Sequence, residues 1–107
     1  MGKEETEIQN DIRVELSELG IVRRNNVGTF ISPNGVPVKI GIPGEADLSL
    51  FMKGGKTVFI EVKTPTGRQS KKQKKFQKAV EKLGYEYRIM KSVDDARRYI
   101  EKVKDEA

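Results

Sequence analysis

Residues 58–67, VFIEVKTPTG, place a carboxylate and an amine within a segment that otherwise favours a buried β-strand. Successive strand residues point to opposite faces of a sheet. The aliphatic side chains of this segment therefore share one face, and Phe59, Glu61 and Lys63 share the other. Taken alone, the pattern is most simply explained by an exposed strand face that carries an ion pair. The neighbouring strand supplies a reason to expect more.

A second acid, Asp47, lies near the start of the strand predicted over residues 46–53, which a Gly-Gly turn joins to the first. Directly opposed residues of an antiparallel pair share a face, so the loop length decides where Asp47 points. A two-residue loop would turn it away from Glu61. A three-residue loop over 54–56, or a single bulge, would place Asp47 opposite Lys63 and on the face of Glu61. The sequence is compatible with both registers, and only the second brings Asp47, Glu61 and Lys63 together.

The remaining chain alternates between helical and strand patterns. Helical spacing of apolar residues predicts helices over 4–19, 70–84 and 92–106. Alternation predicts a strand followed by a bend or a second short strand over 21–32, an extended segment over 36–44 and a strand over 85–91. Two prolines confine the segment 36–44 to a sheet edge or a loop. The order α-β-β-β-α-β-α predicts one α/β domain over residues 1–107, with a central mixed β-sheet flanked by helices.

The composition restricts the possible chemistry. The 107 residues include no Cys and no His, which removes thiolate metal sites and the commonest general base. The sequence has no apolar run of membrane-spanning length and no signal-peptide pattern, so we expect a cytoplasmic protein with no membrane partner.

The net charge of +5 is unevenly distributed. The stretch from Thr64 to Val80 contains Arg and Lys but no acid, which is the electrostatic footprint of a phosphate-backbone binder. A Lys-rich solvated helix face would produce the same pattern. The candidate DNA-binding residues are Arg23, Arg24, Gly67, Arg68, Lys71, Lys72, Lys74 and Lys75.

Two carboxylates and a lysine within reach of one another suit a hard cation. Mg²⁺ is usually held by one or two carboxylates and keeps several waters, which become stronger nucleophiles. We therefore expect Asp47, Glu61 and the main-chain carbonyl of Val62 to bind Mg²⁺ or Mn²⁺. Lys63 would position or deprotonate the attacking water and counter the charge that builds up in the transition state.

These residues resemble the signature of the PD-(D/E)xK nuclease superfamily, which appears here as Asp47 followed by Glu61-Val62-Lys63, with Ala46 where proline is common. The ordered motifs are similar to those of the virus-type replication-repair nuclease (VRR-NUC) family. They are E-x-x-I-Q (5–9), a Gly followed by R-x-N (20–25), G-x-x-D (44–47), E-V-K (61–63) and S-x-x-Q-x-x-F (70–76).

The resemblance implies a restriction-endonuclease-like fold and a metal-dependent DNA endonuclease. Stand-alone viral members are similar to Holliday junction resolvases, which are homodimers that cut branched DNA. A viral origin would place the protein in the cytoplasm of a bacterial host. The apolar residues between Val27 and Ile42 exceed what one small core covers, so this segment is the predicted homodimer interface.

Two further catalytic candidates depend more heavily on the resemblance. Glu5 falls within the apolar stripe of the first helix, where a buried acid needs a partner, although it would also fit a solvated first turn and Glu15 is an alternative. Gln73 shares a helix side with Phe76, and the family pattern would place its amide beside Lys63, where it can orient the lysine or bind a phosphate.

Two other functions remain compatible with the sequence. The first is a non-catalytic nucleic-acid-binding module that uses the basic helix 70–83. The second is a small interaction protein whose Glu61–Lys63 pair is a surface ion pair.

Overall fold

The computed structural model describes residues 4–26 and 28–106. Within these ranges the chain forms helices α1 (Glu5–Leu16), α2 (Lys71–Lys82) and α3 (Val93–Glu106). The strands are β1 (Gly20–Arg24), β2 (Gly28–Ile31), β3 (Pro37–Ile40), β4 (Leu48–Met52), β5 (Lys56–Val62) and β6 (Glu86–Met90). No helix in the described ranges is long and apolar enough to cross a membrane.

The central sheet has four strands in the order β1-β4-β5-β6. The pairs β1–β4 and β4–β5 are antiparallel, whereas β5–β6 is parallel because α2 forms the crossover between them. The predicted α/β class and the mixed sheet are thereby confirmed. The predicted order α-β-β-β-α-β-α holds for the central sheet and its helices, and two additional strands, β2 and β3, lie between β1 and β4 in the chain. The remaining strands, β2 and β3, pair only with each other and form a separate hairpin.

Helices cover both faces of the central sheet. On one face, α1 and α3 pack against the aliphatic side chains of β4 and β5, and the members of this core include Ile8, Ile12, Leu16, Leu48, Leu50, Val58, Ile60, Val62 and Ile100. On the other face, α2 packs through Val80 and Phe76 against Phe59 and Tyr87. The alternation of β5 therefore separates a large aliphatic core from a smaller aromatic one.

The β4–β5 connection fixes the face on which each acid lies. Its three residues are Lys53–Gly55, and Gly54 and Gly55 have φ values of 82° and 75° that favour glycine. The predicted three-residue length is correct, but the predicted limits, 54–56, are wrong by one residue. The register pairs Leu48 with Ile60, so its continuation places Asp47 opposite Glu61 rather than opposite Lys63. The predicted face is preserved because the shift in pairing is two residues.

Candidate active site

Glu61 is the penultimate residue of β5, on the face covered by α2, and its side chain is fully buried. Neither carboxylate oxygen has a hydrogen-bond partner among the described residues. Burial raises the pKa of Glu61, and the nearby Tyr87 hydroxyl, Gln69 amide and Lys63 ammonium only partly oppose this effect. A buried carboxylate without partners is unfavourable, and a bound cation would compensate it.

Asp47 lies immediately before β4, beside the end of β5. Its Oδ2 atom accepts a hydrogen bond of 2.7 Å from the main-chain N–H of Val62. Burial raises the pKa of Asp47, while the Val62 hydrogen bond and the charges of Lys63 and Arg24 oppose that increase. The N–H and C=O groups of a strand residue point toward the same neighbouring strand, so the Val62 carbonyl is also directed toward the Asp47 side. The two acids, Val62 and Lys63 are thus brought together.

Asn25 holds the segment that carries Asp47. Its side-chain amide donates to the Ala46 carbonyl (3.0 Å) and to the Ser49 hydroxyl (2.8 Å), and its main-chain N–H donates to the Asp47 carbonyl (2.8 Å). These bonds attach the start of β4 to the end of β1. In the sequence, Asn25 was notable only as part of the R-x-N motif. Its contacts could not be predicted there, because they join segments that are distant in the chain.

The N-terminus of α2 approaches the same region. Ser70 and Gln73 form a capping box, in which the Ser70 hydroxyl accepts from the Gln73 N–H and the Gln73 side-chain oxygen accepts from the Ser70 N–H. Gly44 has a φ of 79°, and a Cβ atom there would collide with the Lys72 carbonyl, so glycine allows α2 to pack closely. The oxygen of Gln73 is therefore used by the cap, which leaves its amide nitrogen for other contacts.

A cavity of about 400 Å³ opens beside Asp47, between α1, the end of β1 and the N-terminus of α2. The residues lining it include Gln9, Arg24, Asn26, Asp47, Lys72 and Gln73. Glu61 and Lys63 are not among its lining residues, so Asp47 lies between the cavity and the buried acid.

The first helix contributes a different residue from the predicted one. Glu5 is exposed, so the expectation that it lies on a buried face is wrong. Residues 4–7 are all exposed, so the first turn of α1 lies outside the core, although Glu5 points in the direction of the apolar stripe. Gln9, one turn later on the same side, is buried and lines the cavity.

The alternative acid on α1 is used elsewhere. Glu15 forms an ion pair with Arg97 of α3, with 3.2 Å between Oε1 and Nε, on the opposite face of the sheet from α2. Within the described ranges, no group of three acidic, Cys or His residues is arranged to hold a metal ion. A cation held by Asp47 and Glu61 would therefore take its further ligands from main-chain oxygen, water or substrate.

The predicted DNA-binding residues fall into three groups. Arg24 and Lys72 line the cavity beside Asp47, whereas Lys71, Lys74 and Lys75 surround a shallow groove on the outer side of α2. Arg23 and Arg68 are exposed, and Gly67 is partly exposed. The basic surface is therefore continuous with the cavity at the start of α2.

Two residues beside Glu61 have no sequence signal. Gln69 lies in the loop after β5, and its amide donates to the Gln77 side-chain oxygen (2.8 Å) and to the Tyr87 hydroxyl (3.3 Å). Tyr87 reaches this position from β6, a strand that follows α2 in the sequence. The parallel pairing of β5 with β6 brings Tyr87 beside Glu61, and the hydrogen bond from Gln69 to Tyr87 brings the loop residue to the same place.

Comparison with known proteins gives a consistent result. The family model described as "VRR-NUC domain" matches residues 38–94, which is more than half of the chain. A solved structure entitled "VRR_NUC domain" is 22% identical, with a TM-score of 0.67 over 91% of this chain and 94% of its own. Another, entitled "VRR_NUC domain protein", is 19% identical, with a TM-score of 0.67 over 95% and 88% respectively. The search of curated proteins found no match.

Proposed function

The chain belongs to the VRR-NUC family of nucleases, and from this premise we propose that it is a metal-dependent DNA endonuclease. In this proposal it hydrolyses phosphodiester bonds, selects branched DNA and acts as a homodimer. The metal is Mg²⁺ or Mn²⁺. The metal site, the homodimer and the branched substrate are argued in turn below.

One observation carries the catalytic proposal: Glu61 is fully buried with no hydrogen-bond partner, and Asp47 lies beside it at the end of β5. Asp47, Glu61 and the Val62 carbonyl would hold the cation, which when bound supplies an activated water and stabilises charge on the phosphate. The donor set fits, because it consists of oxygen ligands of the kind that hard cations prefer.

Lys63 follows Val62 at the end of β5 and shares the face of Glu61. Its ammonium interacts electrostatically with both Asp47 and Glu61. From this position it would orient the attacking water and offset the negative charge that develops on the phosphate. Gln73 would contact the phosphate through its amide nitrogen, and Glu5, one turn before Gln9, is retained from the resemblance as a further catalytic residue.

The dimer proposal is supported by the β2–β3 hairpin. Phe30 pairs with Val38, and alternation places Ile40 on the same face, so the three side chains form one apolar surface. They are 50%, 44% and 44% exposed. A two-stranded hairpin is marginally stable alone, so this surface requires a cover, and a second copy would supply it. Val27, also part of the predicted interface, lies outside the described residues.

A two-fold dimer also suits the proposed substrate. Resolution of a four-way junction requires two cuts on opposing strands, and one active site cuts one strand at a time. A two-fold axis would relate two sites in the symmetry that the junction presents.

The test is incubation with labelled linear, flapped and four-way DNA in Mg²⁺, Mn²⁺ or EDTA, with Glu61→Gln as the matched control. We expect cleavage that requires a divalent cation, is fastest on branched DNA and is absent in Glu61→Gln. Equal cleavage in EDTA would contradict the metal dependence, and equal rates on linear and four-way DNA would contradict the structure selectivity.

The second candidate is a non-catalytic nucleic-acid-binding module that uses residues 70–83. The exposed lysines of α2 favour it. Asp47 and Glu61 argue against it, because carboxylates close to DNA phosphates repel them without contributing to binding. Tight DNA binding with no cleavage in any cation would support this candidate.

A further inference from the structure

The buried carboxylate of Glu61 has an aromatic neighbour on the adjacent strand. In the parallel pair β5–β6, Phe59 is opposite Tyr87, so alternation along β5 places Glu61 on the face that carries Tyr87. Tyr87 is only 7% exposed, and its ring packs against Phe76 of α2. Its hydroxyl is therefore enclosed on the side of the sheet that contains Glu61.

This hydroxyl accepts one hydrogen bond from a described residue. Gln69 donates to it at 3.3 Å, and the Gln69 amide is in turn fixed by Gln77 at 2.8 Å. A tyrosine hydroxyl that accepts one bond still has one hydrogen to donate. The Glu61 carboxylate lies close enough to this hydroxyl to interact with it, and neither of its oxygens has another hydrogen-bond partner with good geometry among the described residues.

The Tyr87 ring packs against Phe76, with centroids 6.4 Å apart, and its hydroxyl is bonded by Gln69, so both ends of the side chain have defined neighbours.

We propose that Tyr87, held by Gln69, is a positioning residue of the cation site: its hydroxyl donates to one oxygen of Glu61 and leaves the other oxygen for the cation. The inference rests on the proposed metal-dependent function. A hydrogen bond of this kind fixes the rotation of a ligating carboxylate, and loss of such an outer partner typically weakens metal binding by about 10- to 100-fold.

The experiment measures Mn²⁺ binding by electron paramagnetic resonance on the full chain without DNA. We expect Tyr87→Phe, which keeps the ring and removes only the hydroxyl, to bind Mn²⁺ about 10-fold more weakly than wild type. Its melting temperature in EDTA and its DNA affinity in EDTA should match wild type, and the increase in melting temperature on adding Mn²⁺ should shrink. A purely structural role would lower both melting temperatures equally.

The matched control is Tyr85→Phe. Tyr85 also packs edge-on against Phe59, with ring centroids 5.6 Å apart, but it is 45% exposed and outside the Gln69 hydrogen bonds. Its loss of a hydroxyl should leave Mn²⁺ affinity unchanged. Gln69→Ala should weaken Mn²⁺ binding through Tyr87, and the double variant Gln69→Ala/Tyr87→Phe should bind no more weakly than Tyr87→Phe alone.

The outcomes separate this inference from the proposed function. Wild-type Mn²⁺ affinity in Tyr87→Phe, with loss of binding in Glu61→Gln, would overturn the positioning role and leave the cation site intact. No Mn²⁺ binding by wild type would overturn both. If Tyr87→Phe does not fold, unchanged Mn²⁺ affinity in Gln69→Ala would overturn the positioning role.

Discussion

Glu61 combines full burial with two carboxylate oxygens that no described residue hydrogen-bonds. Without a cation this arrangement works against folding, so its presence inside β5 is best explained by the chemistry of the site. Alternation alone indicated that Glu61 and Lys63 share a face. The register of β4 then decided that Asp47 joins them, and the sequence left that choice between two loop lengths.

A substitution at Glu61 separates stability from activity. We expect Glu61→Gln to raise the free energy of unfolding in EDTA by about 1–3 kcal/mol, because it removes a buried charge while keeping the side-chain shape. The same variant should lose cleavage. Urea denaturation and a nuclease assay on one preparation measure both effects, with Glu81→Gln on the exposed side of α2 as the control.

The pH dependence of this stability difference has a definite sign. The folded-state pKa of Glu61 lies above its ordinary value of 4.5, because burial favours the neutral acid. The folded state therefore holds the Glu61 proton more tightly than the unfolded state does. The destabilisation caused by Glu61 is absent below the ordinary pKa and develops as pH rises through the raised pKa. The advantage of Glu61→Gln over wild type should accordingly increase from acid to neutral pH in EDTA. An advantage independent of pH would contradict the burial argument.

In the proposed mechanism, Lys63 acts on charge at the reacting phosphate rather than on DNA affinity. We expect Lys63→Ala to reduce the cleavage rate by about 10²-fold or more, the range found when a group that stabilises transition-state charge is removed. Its DNA affinity in EDTA should stay close to that of wild type. Cleavage at the wild-type rate would show that the proposed mechanism is wrong.

At the scale of elements, α2 connects the aromatic core to the basic surface. Its capping box and Gly44 place its first turn beside Asp47, and its lysines extend along the outer side. Ser70 as the N-cap was predictable from the sequence, because its chemistry is local. Asn25, Gln9 and Tyr87 were not, since their contacts are made between elements far apart in the chain.

The lysines of α2 should set the strength of DNA binding and its response to salt. Lys72→Ala is expected to weaken binding of a duplex and to lower the slope of log K against log salt by about one, the contribution of one phosphate contact. Lys102→Ala is the matched control, because Lys102 lies on α3, on the opposite face of the sheet. Salt titrations of fluorescence anisotropy in EDTA measure both, and equal slopes for the two variants would contradict the assignment of this surface.

For the whole molecule, the β2–β3 hairpin is the feature that the central fold does not explain. The sequence indicated an excess of apolar residues there, and the pairing of β3 with β2 alone accounts for their exposure, because neither strand joins the central sheet. The four-stranded sheet and its helices are complete without the hairpin. Its apolar face therefore bears on assembly rather than on the fold of one chain.

Disruption of that face should separate assembly from chemistry. We expect wild type to be a dimer by light scattering at micromolar concentration and Val38→Asp to be a monomer, because the new carboxylate would be buried without a partner in the interface. Leu83→Asp, at a 75% exposed apolar position after α2, should remain a dimer. Val38→Asp should still nick flapped DNA, since Asp47, Glu61 and Lys63 lie in or beside β4 and β5, but it should lose the paired cuts that resolve a four-way junction. A monomeric wild type, with or without DNA, would remove the dimer and with it the main reason to expect junction resolution.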